Sequence, residues 1–334
     1  MNIIIPMAGM GKRMRPHTLT IPKPLIPIAG KPIVQRLVED IVKVCGKHVE
    51  EIAFVVGHFG EQVEKNLLSI AESVGAKGSI HYQDQPLGTA HAILCAKEAL
   101  KGETVIAFAD TLFKADFKLD SEKAGIIWVQ KIEDPRNFGV VKLDSENFIT
   151  EFVEKPETFV SDLAIIGIYY FKDGENLKNE LQFLIDNDIK DKGEYQITNA
   201  LENMKQKGIK FSTGQVTEWL DCGNKDATVY TNQRYLEFIK DSKLTSSTAK
   251  INNSSIIQPV FIDEDVEINN SVVGPHVSIG KGSKINNSII QNSIIQQNSS
   301  ISHGNISNSM LGSSVIFKGK ISDLSIGDFN VIVE

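Results

Sequence analysis

Residues Met7–Pro27 read MAGMGKRMRPHTLTIPKPLIP and place glycines and cations directly after the apolar run Ile3-Ile4-Ile5. The run has the composition and length of a short buried strand. Gly9 and Gly11 allow the following backbone to approach a ligand closely. Such a loop is suited to bind an anion with several oxygens, through backbone N–H groups and charge-assisted side-chain hydrogen bonds. We therefore expect it to bind a triphosphate. The positive charge around it comes from Lys12, Arg13, Arg15 and Lys23.

Two common glycine-rich motifs do not fit this loop. A dinucleotide fingerprint needs a third glycine or alanine, but Met14 occupies that position. A P-loop needs glycine where Pro6 stands and a hydroxyl where Arg13 stands. The loop therefore predicts another kind of phosphate site.

The stretch does contain G-x-G-x-R, a spacer and then Pro22-Lys23-Pro24-Leu25. This spacing resembles the sugar-1-phosphate nucleotidylyltransferases, in which an arginine and a lysine grip the triphosphate. The resemblance implies two catalytic residues, Arg13 and Lys23. It also implies a nucleotide-binding loop formed by Ala8, Gly9 and Gly11.

Composition limits the class of protein. The chain has 334 residues, 41% of them hydrophobic, which is enough for one large packed domain and a smaller one. The net charge of −7 argues against a nucleic-acid or anionic-membrane partner. No apolar run approaches the ~18 residues of a membrane span, and the N-terminus lacks the pattern of a signal peptide, so we expect a cytoplasmic protein.

Hydrophobic periodicity divides the chain into two parts. Up to residue 241, short β-branched runs alternate with helical patterns, which predicts a Rossmann-like three-layer α/β domain with a mixed, mostly parallel sheet. Residues 242–250 are rich in Ser, Thr and Lys and are predicted to be a linker. In residues 251–334 aliphatic residues recur between Asn, Ser and Gly, as in Asn270-Ser271-Val272. Such hexapeptide-like repeats predict a parallel β-helix of roughly four to five coils.

A second motif runs from Gln83 to Ala92 and reads QDQPLGTAHA. It resembles the base-recognition loop of the same family. An amide carries both a donor and an acceptor, which suits the N3–H and carbonyl of thymine or uracil, so Gln83 is the expected base reader with the Gly88 backbone as its partner. The nucleotide-binding residues implied here are Gln83, Pro86, Gly88 and Thr89.

Two carboxylates complete the expected phosphate end. Asp110 follows the apolar strand that ends in Phe108-Ala109, and Asp221 lies in the motif Trp219-Leu220-Asp221-Cys222-Gly223. Magnesium is commonly held by one or two carboxylates plus substrate phosphates. The family context implies Asp110 and Asp221 as metal ligands and Mg²⁺ as the cofactor.

The sugar end is expected around Gly139, Glu154 and Lys155. In the resembling enzymes a glycine backbone and a glutamate contact sugar hydroxyls, while a lysine binds the sugar phosphate. Tyr169 is implied beside the sugar. His17 and His91 lack an evident orienting carboxylate, which favours a packing or polar role over catalysis.

Motif order over nearly the whole chain resembles the long-form glucose-1-phosphate thymidylyltransferases, which carry a short left-handed β-helix. The resemblance implies transfer of a nucleotidyl group from dTTP or UTP to a sugar 1-phosphate, with glucose 1-phosphate favoured. Thr89 stands where leucine is usual, so a UTP-specific uridylyltransferase stays open, as does a bifunctional or regulatory β-helix protein with acetyltransferase activity. We expect the β-helix to mediate homo-oligomer contacts.

Overall fold

The computed structural model describes residues 1–115 and 119–320. The chain separates into two compact units, the first formed by Met1–Ile26 and Lys31–Asn224, the second by Pro27–Gly30 and the chain from Lys225 on. The helix Lys225–Phe238 belongs to the second unit, whereas the predicted catalytic domain, residues 1–241, includes it. Residues 321–334 of the predicted β-helix lie outside the described residues.

The first unit is built on one mixed sheet. Within the described ranges nine strands form it in the order β10-β9-β11-β6-β1-β4-β5, with β8 paired to β11 and β12 paired to β8. Seven of the nine strands run in the same direction and only β10 and β11 run in the opposite one, which confirms the predicted mixed, mostly parallel sheet. The described strands up to residue 221 include β2, β3, β7 and β13, which lie outside this sheet. In chain order they are β1 (Asn2–Pro6), β2 (Pro27–Ile28, in the second unit), β3 (Lys31–Pro32), β4 (Glu51–Val56), β5 (Lys77–Tyr82), β6 (Thr104–Ala107), β7 (Thr111–Lys114), β8 (Gly125–Lys131), β9 (Gly139–Leu143), β10 (Ile149–Glu154), β11 (Leu163–Phe171), β12 (Phe211–Gln215) and β13 (Glu218–Asp221).

Helices cover the sheet. Ile4, Val55 and Ile106 face a core shared with α3, α4 and α5, and α2 contacts β4 and β5. None of the helices in the described parts of the chain combines the length and apolar character needed to cross a membrane. The helices are α1 (Ile33–Cys45), α2 (Glu61–Ser73), α3 (Thr89–Cys95), α4 (Gly174–Asp186) and α5 (Ile197–Gln206), with short 3-10 turns at Lys12–Met14, His17–Leu19 and Lys23–Leu25.

The strand order creates a crevice beside β1. The chain passes from β1 to β4 and β5 on one side, then returns to β6 on the other side of β1. Ligands of open α/β sheets bind at such a switch point, outside the carboxyl ends of the strands. The loops after β1, β5 and β6 begin there, and they carry the glycine-rich stretch, Gln83 and Asp110.

The second unit contains a left-handed parallel β-helix. Three parallel ladders stack its coils, and equivalent strands lie 16 or 17 residues apart, as in Lys250, Glu267 and Lys284. The ladders are β14-β17-β20-β23-β26, β15-β18-β21-β24 and β16-β19-β22-β25, which confirms the predicted repeat. Their bounds are β14 (Lys250–Asn252), β15 (Ser255–Ile256), β16 (Val260–Ile262), β17 (Glu267–Asn269), β18 (Val272–Val273), β19 (Val277–Ile279), β20 (Lys284–Asn286), β21 (Ile289–Gln291), β22 (Ser293–Ile295), β23 (Ser300–Ser302), β24 (Asn305–Ser307), β25 (Met310–Leu311) and β26 (Ile316–Lys318).

Each Asn-Ser-aliphatic repeat forms a corner of the coil. Asn270 and Asn287 adopt left-handed φ angles of 49° and 48°, which asparagine tolerates well. The Ser271 hydroxyl accepts from Ser288 N at 3.0 Å and so links one coil to the next. The aliphatic residue of the repeat is largely exposed at Ile289, at 53%, whereas the residue after it fills the interior, as the fully buried Val273 and Ile290 do.

The helix α6 (Lys225–Phe238) and the segment Pro27–Gly30 pack on this β-helix within the second unit. Asn232 Oδ1 accepts from Ala29 N at 2.9 Å and from Ser278 Oγ at 2.7 Å. Gly30 has a φ of +86°, and a Cβ there would collide with the Phe261 ring. Glycine is therefore required at this close approach.

Candidate active site

The glycine-rich loop follows β1 as the sequence predicts. Gly11 has a φ of +56°, and its carbonyl accepts from Met14 N at 2.9 Å and from the Thr18 hydroxyl at 2.8 Å. A Cβ at Gly11 would lie only 3.0 Å from Lys23 Cβ, so glycine lets the Lys23 segment pack against the loop. The loop and the lysine segment thus form one wall of the crevice.

A cavity of about 270 Å³ opens at the carboxyl ends of the strands. It brings together nine of the predicted site residues, from the glycine loop, the lysine segment, the base loop and the end of β6. They are Ala8, Gly9, Gly11, Lys23, Gln83, Pro86, Gly88, Thr89 and Asp110. Arg13, Gly139, Glu154, Lys155, Tyr169 and Asp221 do not line this cavity and lie in two neighbouring clusters.

The phosphate end contains an ion pair. Lys23 Nζ lies 2.7 Å from Asp110 Oδ2, and the Lys23 side chain is only 12% exposed, against 40% for Asp110. The Asp110 backbone is fixed as well, because its carbonyl accepts from Cys222 N at 2.9 Å. The Lys23 ammonium and the Asp110 carboxylate therefore form a direct ion pair at the predicted phosphate end.

A second carboxylate approaches from β13. Asp221 stands opposite Thr111 on β7, one residue after Asp110, and its Oδ1 accepts from Gly223 N at 3.0 Å. Burial raises the pKa of Asp221 and the charge of Asp110 raises it further, while the cations of Lys23 and Arg13 act in the opposite direction. The two carboxylates therefore interact electrostatically.

The Arg13 side chain lies beside Asp221, because both border Gly223. A Cβ at Gly223 would lie 3.3 Å from Arg13 Nη2 and 2.9 Å from Asp221 Oδ2. This charged cluster consists of Arg13, Lys23, Asp110 and Asp221. Across the described residues no group of three or more His, Cys, Asp and Glu side chains converges on one point. Two carboxylates with substrate phosphates and water suit Mg²⁺, which prefers hard oxygen ligands.

The predicted base end is formed by Gln83 and the loop before α3. Gln83 Nε2 donates to Gly88 O at 3.2 Å and also lies 3.2 Å from His91 Nδ1. Gly88 has a φ of +116°, and a Cβ there would collide with the backbone of Tyr195. Glycine is therefore required at position 88, and a direct hydrogen bond joins its carbonyl to the Gln83 side chain.

Thr89 has a structural task at this end. Its hydroxyl donates to Gln196 Oε1 at 2.9 Å and accepts from Ile197 N at 2.9 Å. Both bonds tie the base loop to the start of α5. The hydroxyl is thus occupied by the protein, although Thr89 also lines the cavity.

The predicted sugar residues form a second cluster on paired strands. Gly139 on β9 stands directly opposite Glu154 on β10. Glu154 Oε2 accepts from the Thr198 hydroxyl at 3.2 Å, and Glu154 Oε1 lies 3.3 Å from Lys155 Nζ. Thr198 belongs to none of the sequence motifs described above, and it contacts Glu154 only because the chain folds.

Tyr169 lies deeper than a typical ligand-contacting side chain. It is 4% exposed, and burial together with the charge of Glu154 raises its pKa. Its ring stands 6.2 Å from that of Phe108, which lines the cavity. Phe138 and Trp219, whose rings are 5.0 Å apart, connect the strand of Gly139 with that of Asp221.

Comparisons with known proteins identify the family of the chain. A family model described as Nucleotidyl transferase matches residues 2–237. The low-salt glycan biosynthesis nucleotidyltransferase Agl11 of Haloferax volcanii is 30% identical over 352 residues, which cover 93% of this chain and 92% of that protein. The bifunctional protein GlmU of Methanococcus maripaludis is 34% identical over 272 residues, 79% of this chain and 61% of the relative.

Among solved structures, a UDP-glucose pyrophosphorylase complexed with UDP-glucose superposes with a TM-score of 0.59 at 25% identity. The match covers 71% of this chain and 98% of that structure. These findings confirm the family and the kind of enzyme that the motifs around Arg13 and Lys23 predict. The family model covers more than half of the chain and the relatives extend over most of it, so this protein belongs to the nucleotidyl transferase family.

Proposed function

We propose that this enzyme transfers a nucleotidyl group from dTTP or UTP to a sugar 1-phosphate, most favourably glucose 1-phosphate, and releases pyrophosphate. The observation that carries the proposal is the cavity that joins the glycine loop and the Lys23–Asp110 pair to the Gln83–Gly88 pair. One end suits a triphosphate and the other a base edge. The chain of UDP-glucose pyrophosphorylase, solved with UDP-glucose, supports a hexose as the acceptor.

The reaction needs alignment more than it needs an enzyme nucleophile. An oxygen of the sugar phosphate attacks the α-phosphorus, a new P–O bond forms there, and the bond to the bridging α–β oxygen breaks as pyrophosphate leaves. Arg13 and Lys23 would stabilise the developing charge on the triphosphate, while Lys155 would hold the incoming phosphate. Mg²⁺ held by Asp110 and Asp221 would add charge neutralisation at the phosphates.

Glu154 is prepared for a sugar. Its carboxylate is held by the Thr198 hydroxyl and faces Gly139, where a Cβ would lie 3.1 Å from Glu154 Oε2, so the absence of a side chain makes room for the carboxylate. A carboxylate accepts hydrogen bonds from vicinal hydroxyls. Lys155 stands next to it with 47% of its side chain exposed, available for the phosphate of the same sugar.

A pyrophosphate-release screen tests the proposal. Purified enzyme is given dTTP, UTP, CTP, ATP or GTP with glucose 1-phosphate, galactose 1-phosphate or N-acetylglucosamine 1-phosphate, with and without Mg²⁺. We expect release with dTTP or UTP that requires both the sugar phosphate and the metal. Release with purine nucleotides alone, or none with any pair, would contradict the proposed function.

A bifunctional enzyme is the second candidate. It is favoured by the β-helix and by the likeness to bifunctional GlmU, of which this chain spans only 61%. Within the second unit His276 Nε2 lies 2.7 Å from Glu237 Oε1, a pairing that can orient an imidazole. Thiol release from acetyl-CoA in the presence of an amino sugar phosphate would establish this second activity, which His276→Ala should then abolish.

The base reader gives a direct prediction. Gln83→Ala removes the amide that faces the base, so we expect a higher KM for dTTP or UTP and weaker discrimination against purines. An unpaired base edge should cost on the order of 1–3 kcal/mol. Steady-state kinetics with the five triphosphates of the screen measure the change. Unchanged KM values and unchanged selectivity would show that another group reads the base.

The β-helix is proposed to mediate homo-oligomer contacts, as the sequence predicts. Several of its apolar side chains are exposed, among them Ile289 at 53% and Ile316 at 85%. Deleting the chain after Ser242 should lower the oligomeric state and the melting temperature, because α6 loses its contacts with Ser278 and its neighbours. Light scattering that finds the same oligomer with and without the tail would contradict the assembly role.

A further inference from the structure

The side-chain amide of Gln83 is held by two groups of the protein. Its nitrogen lies 3.2 Å from Gly88 O and 3.2 Å from His91 Nδ1. A carbonyl oxygen can only accept a hydrogen bond, so the amide atom facing Gly88 O must be the NH₂ nitrogen. The Gly88 carbonyl thus provides one of the two contacts that orient the amide.

His91 must then act as an acceptor. The same nitrogen faces Nδ1, so the neutral ring carries its proton on Nε2. Burial lowers the pKa of His91 below its usual value, which keeps the ring neutral at pH 7. The neighbouring titratable group on α3 is Cys95, whose Sγ lies 4.0 Å from Nδ1 and whose pKa is raised by burial, so it stays a neutral thiol.

This arrangement uses both hydrogens of the amide and leaves only its oxygen for a ligand. Within the described residues nothing donates to Gln83 Oε1 or accepts from Gly88 N–H, and both residues line the cavity. Thymine and uracil carry an N3–H donor beside carbonyl acceptors. Cytosine carries an acceptor at N3, which would face the amide oxygen.

We propose that His91 is a positioning residue that turns the Gln83 carbonyl oxygen toward the base and thereby selects uracil or thymine against cytosine. The inference rests on the proposed function and deepens it. Without the acceptor at Nδ1, the amide loses one of the two contacts that hold its orientation. The amide can then turn its NH₂ group toward the N3 acceptor of cytosine.

Two variants test the role by kinetics. His91→Leu removes the acceptor, whereas His91→Asn offers Oδ1 close to the position of Nδ1. The ratio of kcat/KM for UTP or dTTP to that for CTP should fall about tenfold in the leucine variant, the effect of losing one hydrogen bond. The asparagine variant should retain the ratio. The change should appear in nucleotide KM while turnover at saturation is retained.

An unchanged ratio in His91→Leu, with UTP or dTTP still transferred, would overturn the positioning role and leave the proposed function intact. A wild-type enzyme that transfers neither nucleotide would overturn the proposed function itself. Should the leucine variant fail to fold, nitrogen-15 NMR of the wild-type histidines decides the point. A proton on Nδ1 of His91 would overturn the inference, and one on Nε2 supports it.

Discussion

An Asp110→Asn variant is expected to fold but to lose most of its turnover. The substitution keeps the size of the side chain but removes one of the two negative charges that would hold Mg²⁺ beside the phosphates. Removal of a comparable electrostatic element from an active site costs ~10²–10³ in rate. The loss should lie in kcat, measured by pyrophosphate release at saturating substrates.

The structure offers a matched control for this variant. Lys31 Nζ and Glu39 Oε1 form an ion pair of 2.8 Å in the first unit, close to the 2.7 Å of Lys23 and Asp110, and neither residue lines the cavity. Glu39→Gln should leave turnover unchanged. If Asp110→Asn retains near-wild-type turnover at every Mg²⁺ concentration, Asp110 has no part in binding the metal.

Local chemistry explains why the glycine loop and the β-helix could be predicted from sequence. The conformation of Gly11 depends on its own φ and on nearby Met14 and Thr18, all within one short stretch. The corner asparagines of the β-helix likewise depend on local backbone preference and on a repeat of 16 or 17 residues. These features can be predicted from sequence because they do not depend on contacts between residues that are far apart in the chain.

Other features depend on contacts that no local pattern carries. Thr198 holds Glu154 from 44 residues away, and Thr89 binds the start of α5 across 108 residues. The sequence favours a packing or polar role for His91, because it shows no evident orienting carboxylate. Its partner is the amide of Gln83, which becomes a neighbour only when β5 and α3 pack together.

The helix after Gly88 is shorter than its alanine-rich sequence predicts. A helix over residues 88–100 is expected, yet α3 ends at Cys95. Beyond it the backbone tightens into turns, in which Ala96 N bonds to Ile93 O and Ala99 N to Ala96 O. The Asn2 side chain donates to Ala99 O at 2.9 Å, so a buried amide replaces the next helical bond.

Asp221→Asn should have opposite effects on stability and activity. Burial and the charge of Asp110 raise the pKa of Asp221, so folding favours its protonated form. A carboxyl with a raised pKa contributes stability below the pKa of an unfolded aspartate and loses that contribution as pH rises through the folded value. Above that value the charged side chain opposes folding, and asparagine removes this penalty.

At pH 7–8 and without Mg²⁺ we therefore expect the free energy of unfolding of the Asp221→Asn protein to exceed that of the wild type by on the order of 0.5–2 kcal/mol, which raises the melting temperature by a few degrees. Its turnover should be reduced as in Asp110→Asn. The difference in melting temperature should shrink as the pH falls, because both side chains are then neutral. The exposed Asp241, which lies outside the helices, supplies the control, and Asp241→Asn should change neither property. A variant of Asp221 that melts lower than wild type at pH 8 and equally at pH 4 would contradict this account, because the carboxylate would then stabilise the fold. The expected pattern would instead show that the Asp221 charge serves ligand binding and lowers the stability of the unliganded protein.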